Sequence, residues 1–264
     1  MKNKKIDYLK AIEGLVKKAG NKATKSWLIY KREDSVLKGK TEVVTKIDKE
    51  TEIALSKGIL KAFPEHSILG EEYGLSGKKS DYVWIIDPID GTTNFTIHNP
   101  LWSISIGLAY KDEIIFGLVY IPVLKELFWA YKGKGSFLNG KRLQIKPKRS
   151  GGKEIHTFCH GHEKRDLELS LNYYKEQKIK SLDCRQLGSA AIELSYVASS
   201  RVDSIFIPGA RSWDVAAGAL IAAEAGATLC DSKGKTWSIK SRDIIAVRPD
   251  LKTKILSIIK KADK

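Results

Sequence analysis

Trp84-Ile85-Ile86-Asp87-Pro88-Ile89-Asp90-Gly91-Thr92-Thr93-Asn94-Phe95 is the stretch on which the reading of this chain turns. The apolar run from Val83 to Ile86 predicts a buried strand that carries two carboxylates into a turn. Pro88 cannot donate to a sheet ladder, so the strand is expected to stop there. Gly91-Thr92-Thr93 then has the composition of a helix start. Carboxylates collect divalent cations, and the N–H groups that open a helix collect phosphate oxygens. Both in one segment point to metal-dependent phosphoryl chemistry. Asp-Pro and Asp-Gly are also ordinary turn formers, and turn chemistry alone accounts for Asp87 and Asp90 equally well. Ligands elsewhere in the chain have to decide between the two.

Three further acidic elements stand out. Glu71 and Glu72 follow Ser67-Ile68-Leu69-Gly70, a second short apolar run that ends in carboxylates; alone, such a pair reads as solvated surface. Asp214 follows Trp213 and opens the Ala-rich run Val215-Ala216-Ala217-Gly218-Ala219, where a first-turn aspartate serves a helix equally well. Asp48 falls three residues after Thr45, the place of a capping-box acid.

Around these, helical spacing predicts helices over about 4–19, ending near Gly20, and over 48–63. Strand-like segments at 101–109, 114–120 and 127–131 alternate with turn signals and read as an antiparallel meander. From about 145 strands and helices alternate: strands at 156–159 and 202–207, helices at 163–177, 189–199 and 213–225. Short strands near Thr228 and Ile244 and a helix from Asp250 close the chain. Helices on a sheet in each half imply a layered α/β arrangement with a site in the cleft between them.

At 264 residues the chain suffices for a large core, and 42% hydrophobic with 29% charged residues is the balance of a globular protein. No apolar run approaches the roughly 20 residues of a membrane span, and the basic start Met1-Lys2-Asn3-Lys4-Lys5 leads into no signal-peptide core. Cys159, Cys184 and Cys230 fit neither a disulfide framework nor a zinc site, so a reducing cytoplasm is expected. The net charge of +15 is dispersed rather than gathered into an aromatic-interleaved stripe. The expected partner is therefore a small phosphorylated substrate steered by that charge, with neither nucleic acid nor membrane.

Taken in order, Gly-Glu-Glu at 70–72, Asp-Pro-Ile-Asp-Gly-Thr-Thr-Asn-Phe at 87–95 and Trp-Asp-Val-Ala-Ala-Gly at 213–218 resemble the inositol monophosphatase family, metal-dependent and lithium-sensitive sugar phosphatases. The similarity extends from about Val43 to Ala227 and takes in 133–140 and Leu187-Gly188-Ser189-Ala190-Ala191. The resemblance implies an α+β fold, a layered αβαβα sandwich with an antiparallel sheet in the first half and a mixed sheet in the second, assembled as a homodimer. The halves are expected at 1–144, with most metal ligands, and 145–264, with Asp214 and substrate contacts. It implies two or three Mg²⁺ ions: one on Glu71, Asp87 and the carbonyl of Ile89, one on Asp87, Asp90 and Asp214, and a looser third near Glu71 and Glu72. Glu71 and Thr92 would activate water, with Asp48 hydrogen-bonded to Thr92. Asp90, Gly91, Thr92 and Ala190 would contact substrate, the amides of Gly91 and Thr92 holding phosphate.

The substrate end departs from the family pattern. Where many members carry a glutamate that touches inositol hydroxyls, this chain has Ile207. Arg185 and Arg211 are candidates for a sugar hydroxyl or a second phosphate. Cys159-His160-Gly161-His162 is placed to line the cleft, though imidazole suits magnesium poorly. Lys38 and Glu42 take the places of an upstream basic and acidic pair of the family. The expected activity is hydrolysis of myo-inositol 1-phosphate, with fructose 1,6-bisphosphate as a second substrate. The alternatives are a 3′-phosphoadenosine 5′-phosphate phosphatase and a basic nucleic-acid-binding or regulatory protein on the same scaffold.

Overall fold

A computed structural model of the chain describes residues 7–38, 42–146, 154–161 and 163–263; His162 lies outside them, and of Lys38 and Glu42 only the backbone is described. The elements are α1 (Tyr8–Leu28), β1 (Val36–Lys38), β2 (Glu42–Val44), α2 (Lys46–Ala62), β3 (Ser67–Gly70), β4 (Gly74–Gly77) and β5 (Tyr82–Asp90). There follow α3 (Thr92–Thr96), β6 (Ser103–Tyr110), β7 (Glu113–Ile121), β8 (Glu126–Tyr131), β9 (Gly135–Leu138) and β10 (Lys141–Arg142). The second half has β11 (Ile155–Phe158), α4 (Lys164–Lys180), β12 (Asp183–Arg185), α5 (Ala190–Ala198), β13 (Ser204–Ile207), α6 (Ser212–Glu224), β14 (Thr228–Cys230), β15 (Ile244–Val247) and α7 (Lys252–Ala262).

Among the described residues the large sheet runs β10-β9-β8-β7-β6-β5-β3-β4 and the smaller one β12-β11-β13-β15-β14, besides the β1-β2 pair. The smaller sheet is mixed, as expected: β11 pairs in parallel with β12 and β13, while β15 pairs antiparallel with β13 and β14. The large sheet is antiparallel except where β3 lies parallel to β5. That exception arises because β4 hairpins back along the outer edge of β3 before the chain enters β5. It matters for the site, because two carboxylate-bearing strands now end on the same edge.

Period-2 alternation turns the central strands of the large and the smaller sheet toward helical layers on both faces. Ile86, Ile104, Ile106 and Leu108 pack with Ile12 and Val16 of α1 and Leu55 and Ile59 of α2. From the opposite face, Ile85, Val119 and Ile121 meet Ile192 of α5 and Ala216, Ala217 and Ile221 of α6. The other side of α5 and α6 packs on Ile205, Ile207, Ile244 and Ala246. Phe206, Ile245 and Val247 turn outward to Leu169 and Tyr173 of α4 and Ile255 and Ile259 of α7. The order of layers is thus α, β, α, β, α.

Two local expectations fail for identifiable reasons. α1 does not end at Gly20 but continues to Leu28, because Gly20 is a contact point rather than a stop. A Cβ there would lie 2.7 Å from Cε1 of Tyr120 and 2.9 Å from Pro122. β5 does not stop at Pro88 but reaches Asp90, with its pairing to β6 shifting register between Asp87 and Asp90. A bulge is where a strand tolerates proline, since the extra residue owes no ladder bond.

The central helical layer is thin because the sequence makes it so. Gly117 of β7 faces α6, and a Cβ there would sit 2.7 Å from the carbonyl oxygen of Ala217. Gly117→Ala should therefore destabilise by about 1–3 kcal/mol through overpacking. Urea unfolding checks this, and unchanged stability would contradict the close approach.

Candidate active site

Parallel pairing of β3 with β5 aligns Gly70 with Ile86, and Glu71 N donates to Ile86 O at 3.1 Å. Glu71 therefore leaves β3 beside Asp87 on β5. Asp87 Oδ1 accepts from Ile89 N at 3.0 Å, a side-chain turn that fixes the Ile89 peptide. Gly91, in the left-handed region at φ 93, then turns the chain into the short helix α3.

Asp90 is held from the other half of the molecule. Its carboxylate accepts from Ala190 N at 3.2 Å, Ala191 N at 2.9 Å, Ser103 Oγ at 3.3 Å and Ser189 Oγ. The opening turn of α5 thus closes onto β5. Asp214 sits in the first turn of α6, with Arg211 N donating to its Oδ2 at 3.1 Å.

Capping and function turn out not to compete at Asp48. Its Oδ2 accepts from Thr45 N at 2.9 Å in a complete capping box, while its Oδ1 accepts from Thr92 Oγ1 at 3.0 Å. Thr92 Oγ1 also lies 3.0 Å from Ile89 O. One hydroxyl hydrogen serves two acceptors, so engagement of the Ile89 carbonyl elsewhere would commit it to Asp48.

Glu71, Asp87, Ile89, Asp90, Gly91, Thr92, Ala190, Arg211 and Asp214 all line one open cleft of about 490 Å³, as do Cys159, His160 and Ile207. Arg185 does not. It ends β12 as an exposed residue whose Nε lies 2.5 Å from Asp183 Oδ2, while its neighbour Gln186 lines the cleft.

The electrostatics are those of crowded anions. Burial pushes the Asp87 carboxyl well up, and Glu71, Asp90, Asp214 and Asp48 push it further. Burial raises Asp90 to about 6 against the hydrogen bonds that favour its ionised form, and raises Asp48 to about 6 likewise. Among the described residues no three such side chains already converge on one point, an approach that like charges oppose. The donor set is nevertheless all hard oxygen, carboxylates plus the Ile89 carbonyl, which suits Mg²⁺ and no softer ion.

Two contributors escaped the sequence reading. Glu52, one turn after Asp48 on α2, accepts from Glu72 N at 2.8 Å and Tyr73 N at 3.1 Å and so holds the turn that carries Glu71. Glu193 Oε1 accepts from Leu187 N and Gly188 N, both at 3.0 Å, and from Cys159 Sγ at 3.1 Å. Burial raises its carboxyl to about 7. The available signals were the i, i+4 spacing of Asp48 and Glu52 and a lone acid inside the apolar run 190–198.

Residues 5–264 match the sequence pattern of the inositol monophosphatase family. The chain belongs to that family. It is 39% identical over 248 residues to the Nus factor SuhB of Pasteurella multocida, covering 92% of each chain. It is 35% identical to the fructose-1,6-bisphosphatase/inositol-1-monophosphatase of Aquifex aeolicus, covering 88% of this chain and 87% of that one. Among solved structures, the Thermotoga maritima IMPase superposes with a TM-score of 0.88 at 29% identity, covering 97% of this chain and 98% of its own. The family is one of metal-dependent phosphatases, and the layered sandwich expected from the resemblance is the fold observed.

Two outcomes follow from this crowding. Without metal, the raised carboxyls of Asp48 and Asp90 contribute stability below about pH 4 that is lost as pH rises through about 6. Mg²⁺ should accordingly raise Tm in chelator-stripped protein at pH 7.5 and do so far less at pH 5; an equal or absent rise at both would contradict it. Glu52→Gln, which leaves one of two amides facing a donor, should weaken Mg²⁺ binding about tenfold by calorimetry.

Proposed function

We propose that the protein is a Mg²⁺-dependent phosphomonoesterase acting on inositol and sugar phosphates. The observation that carries this reading is the convergence of Glu71, Asp87, Asp90 and Asp214 with the Ile89 carbonyl and a Thr92 hydroxyl on one cleft, with Asp48 behind Thr92. Glu71, Asp87 and Ile89 would hold one ion and Asp87, Asp90 and Asp214 a second, with Glu72 near a looser third. Bound magnesium supplies Lewis-acid charge to phosphoryl oxygens and brings the pKa of water within reach of a carboxylate base.

The remaining roles belong to the chain. With its hydrogen donated to Asp48, Thr92 Oγ1 presents a lone pair and accepts from the attacking water. Glu71 takes the water's proton as the water oxygen bonds to phosphorus, and the ester P–O bond breaks to release the alcohol, its oxygen protonated from solvent. The amides of Gly91 and Thr92 hold the phosphate, and the packed walls of α5 and β5 keep it oriented. The cysteines take no part: Cys159 is buried on Glu193, and burial pushes its thiol far up, away from the nucleophilic thiolate.

Substrate choice rests on the other end of the cleft. The Ile207 side chain offers no hydrogen bond to a polyol, while Arg211, over the Trp213 ring at 5.7 Å, brings a cation to the cleft lining. That pairing favours a substrate with a second phosphate, such as fructose 1,6-bisphosphate, alongside myo-inositol 1-phosphate. 3′-Phosphoadenosine 5′-phosphate meets the same requirement and belongs in the comparison. A second reading, favoured by relatives named Nus factors, is a nucleic-acid-binding or transcription role on this scaffold.

Phosphate release from these three substrates with and without Mg²⁺ tests the proposal. Asp90→Asn should lower kcat by about two orders of magnitude or more while keeping the native circular dichroism spectrum. Near-normal turnover in that variant would sink the two-metal assignment. No release at all, with metal-independent RNA or DNA binding, would favour the second reading.

A further inference from the structure

We propose that Asp166 and Arg242 form a clamp that positions the substrate end of the cleft, setting affinity and selectivity without touching substrate; this rests on the phosphatase reading above. Two segments build that end, residues 159–161 leaving β11 and residues 207–211 joining β13 to α6. They cross at two glycines. A Cβ on Gly161 would lie 2.8 Å from the carbonyl oxygens of both Pro208 and Gly209, and 2.5 Å from Asp166 Oδ2. A Cβ on Gly209, which sits at φ +64, would lie 2.0 Å from the same Asp166 oxygen. The Asp166 carboxylate therefore fills the niche where the segments meet, and it is only 1% exposed.

A carboxylate buried this way needs a counter-charge. Arg242 supplies it: Nη1 lies 2.7 Å from Asp166 Oδ1, out of line for a directed hydrogen bond, while Nη2 donates to Glu163 Oε2 at 2.8 Å. The same residue holds the loop by its backbone, since Arg242 O accepts from Ala210 N at 2.8 Å. The next residue continues the grip: Asp243 Oδ1 accepts from Gly209 N at 3.2 Å, and its Oδ2 from Ser232 Oγ. Two consecutive amides of the loop thus end on Arg242 and Asp243, and Arg211 follows them directly into the cleft.

On the other segment, His160 precedes Gly161 and also lines the cleft. The Asp166–Arg242 pair, together with the Arg242 carbonyl and the Asp243 carboxylate, therefore ties together the two segments that carry His160 and Arg211, both of which line the cleft. Glu71 follows β3 and Asp87 and Asp90 stand on β5, elements to which the clamp makes none of these contacts. Asp214 lies beyond the clamped loop in the first turn of α6, anchored by the buried Val215, Ala216 and Ala217. Releasing the clamp should move KM and substrate preference while leaving the chemical step in place.

Steady-state kinetics of Arg242→Ala, Arg242→Lys and Asp166→Asn on myo-inositol 1-phosphate and fructose 1,6-bisphosphate, at saturating Mg²⁺, provide the test. Arg242→Ala should raise KM for the bisphosphate about tenfold and for the monophosphate less, with kcat within about threefold of wild type. Arg242→Lys should restore part of the loss, and amide exchange at Gly209 and Ala210 should quicken in Arg242→Ala. Unchanged KM values in folded Arg242→Ala overturn the clamp. So does a parallel fall of kcat, KM selectivity and Mg²⁺ activation that lysine does not relieve, which marks a merely structural residue. Should Asp166→Asn not fold, the half-exposed Arg242 decides alone. A wild-type protein that releases phosphate from neither substrate refutes the phosphatase reading and this inference with it, whereas active wild type with indifferent variants refutes the clamp only.

Discussion

Like charges brought together out of water repel, and that repulsion is the constraint around which this molecule is organised. Burial raises the Asp87 carboxyl most, and Glu71, Asp90, Asp214 and Asp48 each raise it further. Such a cluster persists only if covalent structure and hydrogen bonds restrain every member. The parallel pairing of β3 and β5 fixes Glu71 beside Asp87, the start of α5 binds Asp90, and α2 supports both Thr92 and the Glu71 turn. Elements from both halves are needed, so the buried layer of α5 and α6 is also what keeps the carboxylates in place.

The two ends of the cleft are built differently. At the carboxylate end, side chains are tied to backbone amides and to strands within a packed sheet. At the other end, Ile207, His160 and Arg211 come from strand exits and a loop, held across the back by Asp166 and Arg242. Rigid positioning of the carboxylates supports one kind of chemistry, while loops tolerate exchange of the residues that meet the rest of a substrate. Members of one family can therefore share a reaction and differ in what they hydrolyse.

Much of the fold was legible because its signals are local. The strand-like segments at 101–109 and 114–120 and the helices expected over 48–63 and 163–177 correspond to β6, β7, α2 and α4. Where reading failed, a distant contact had overruled a local rule. Gly20 looks like a helix stop until Tyr120 is seen packed on it, and Pro88 looks like a strand end until the register shift opposite Ser103 and Ser105 makes room for it. Arg185 was a candidate for a sugar hydroxyl or a second phosphate, and in the fold its guanidinium lies against Asp183, outside the residues that line the cleft.

The sequence by itself determined which groups are available: carboxylates after two apolar strands, a glycine-threonine turn and an aspartate opening an alanine-rich helix supply hard oxygens and a hydroxyl, whatever their arrangement. Tertiary structure alone decided which of them meet. Asp90 finds its partners about a hundred residues away on α5, Glu52 finds Glu72, and Asp166 finds a niche between two glycines from separate segments. Those pairings depend on sheet order and layer packing, and long-range contacts of that kind leave no periodic trace along the chain.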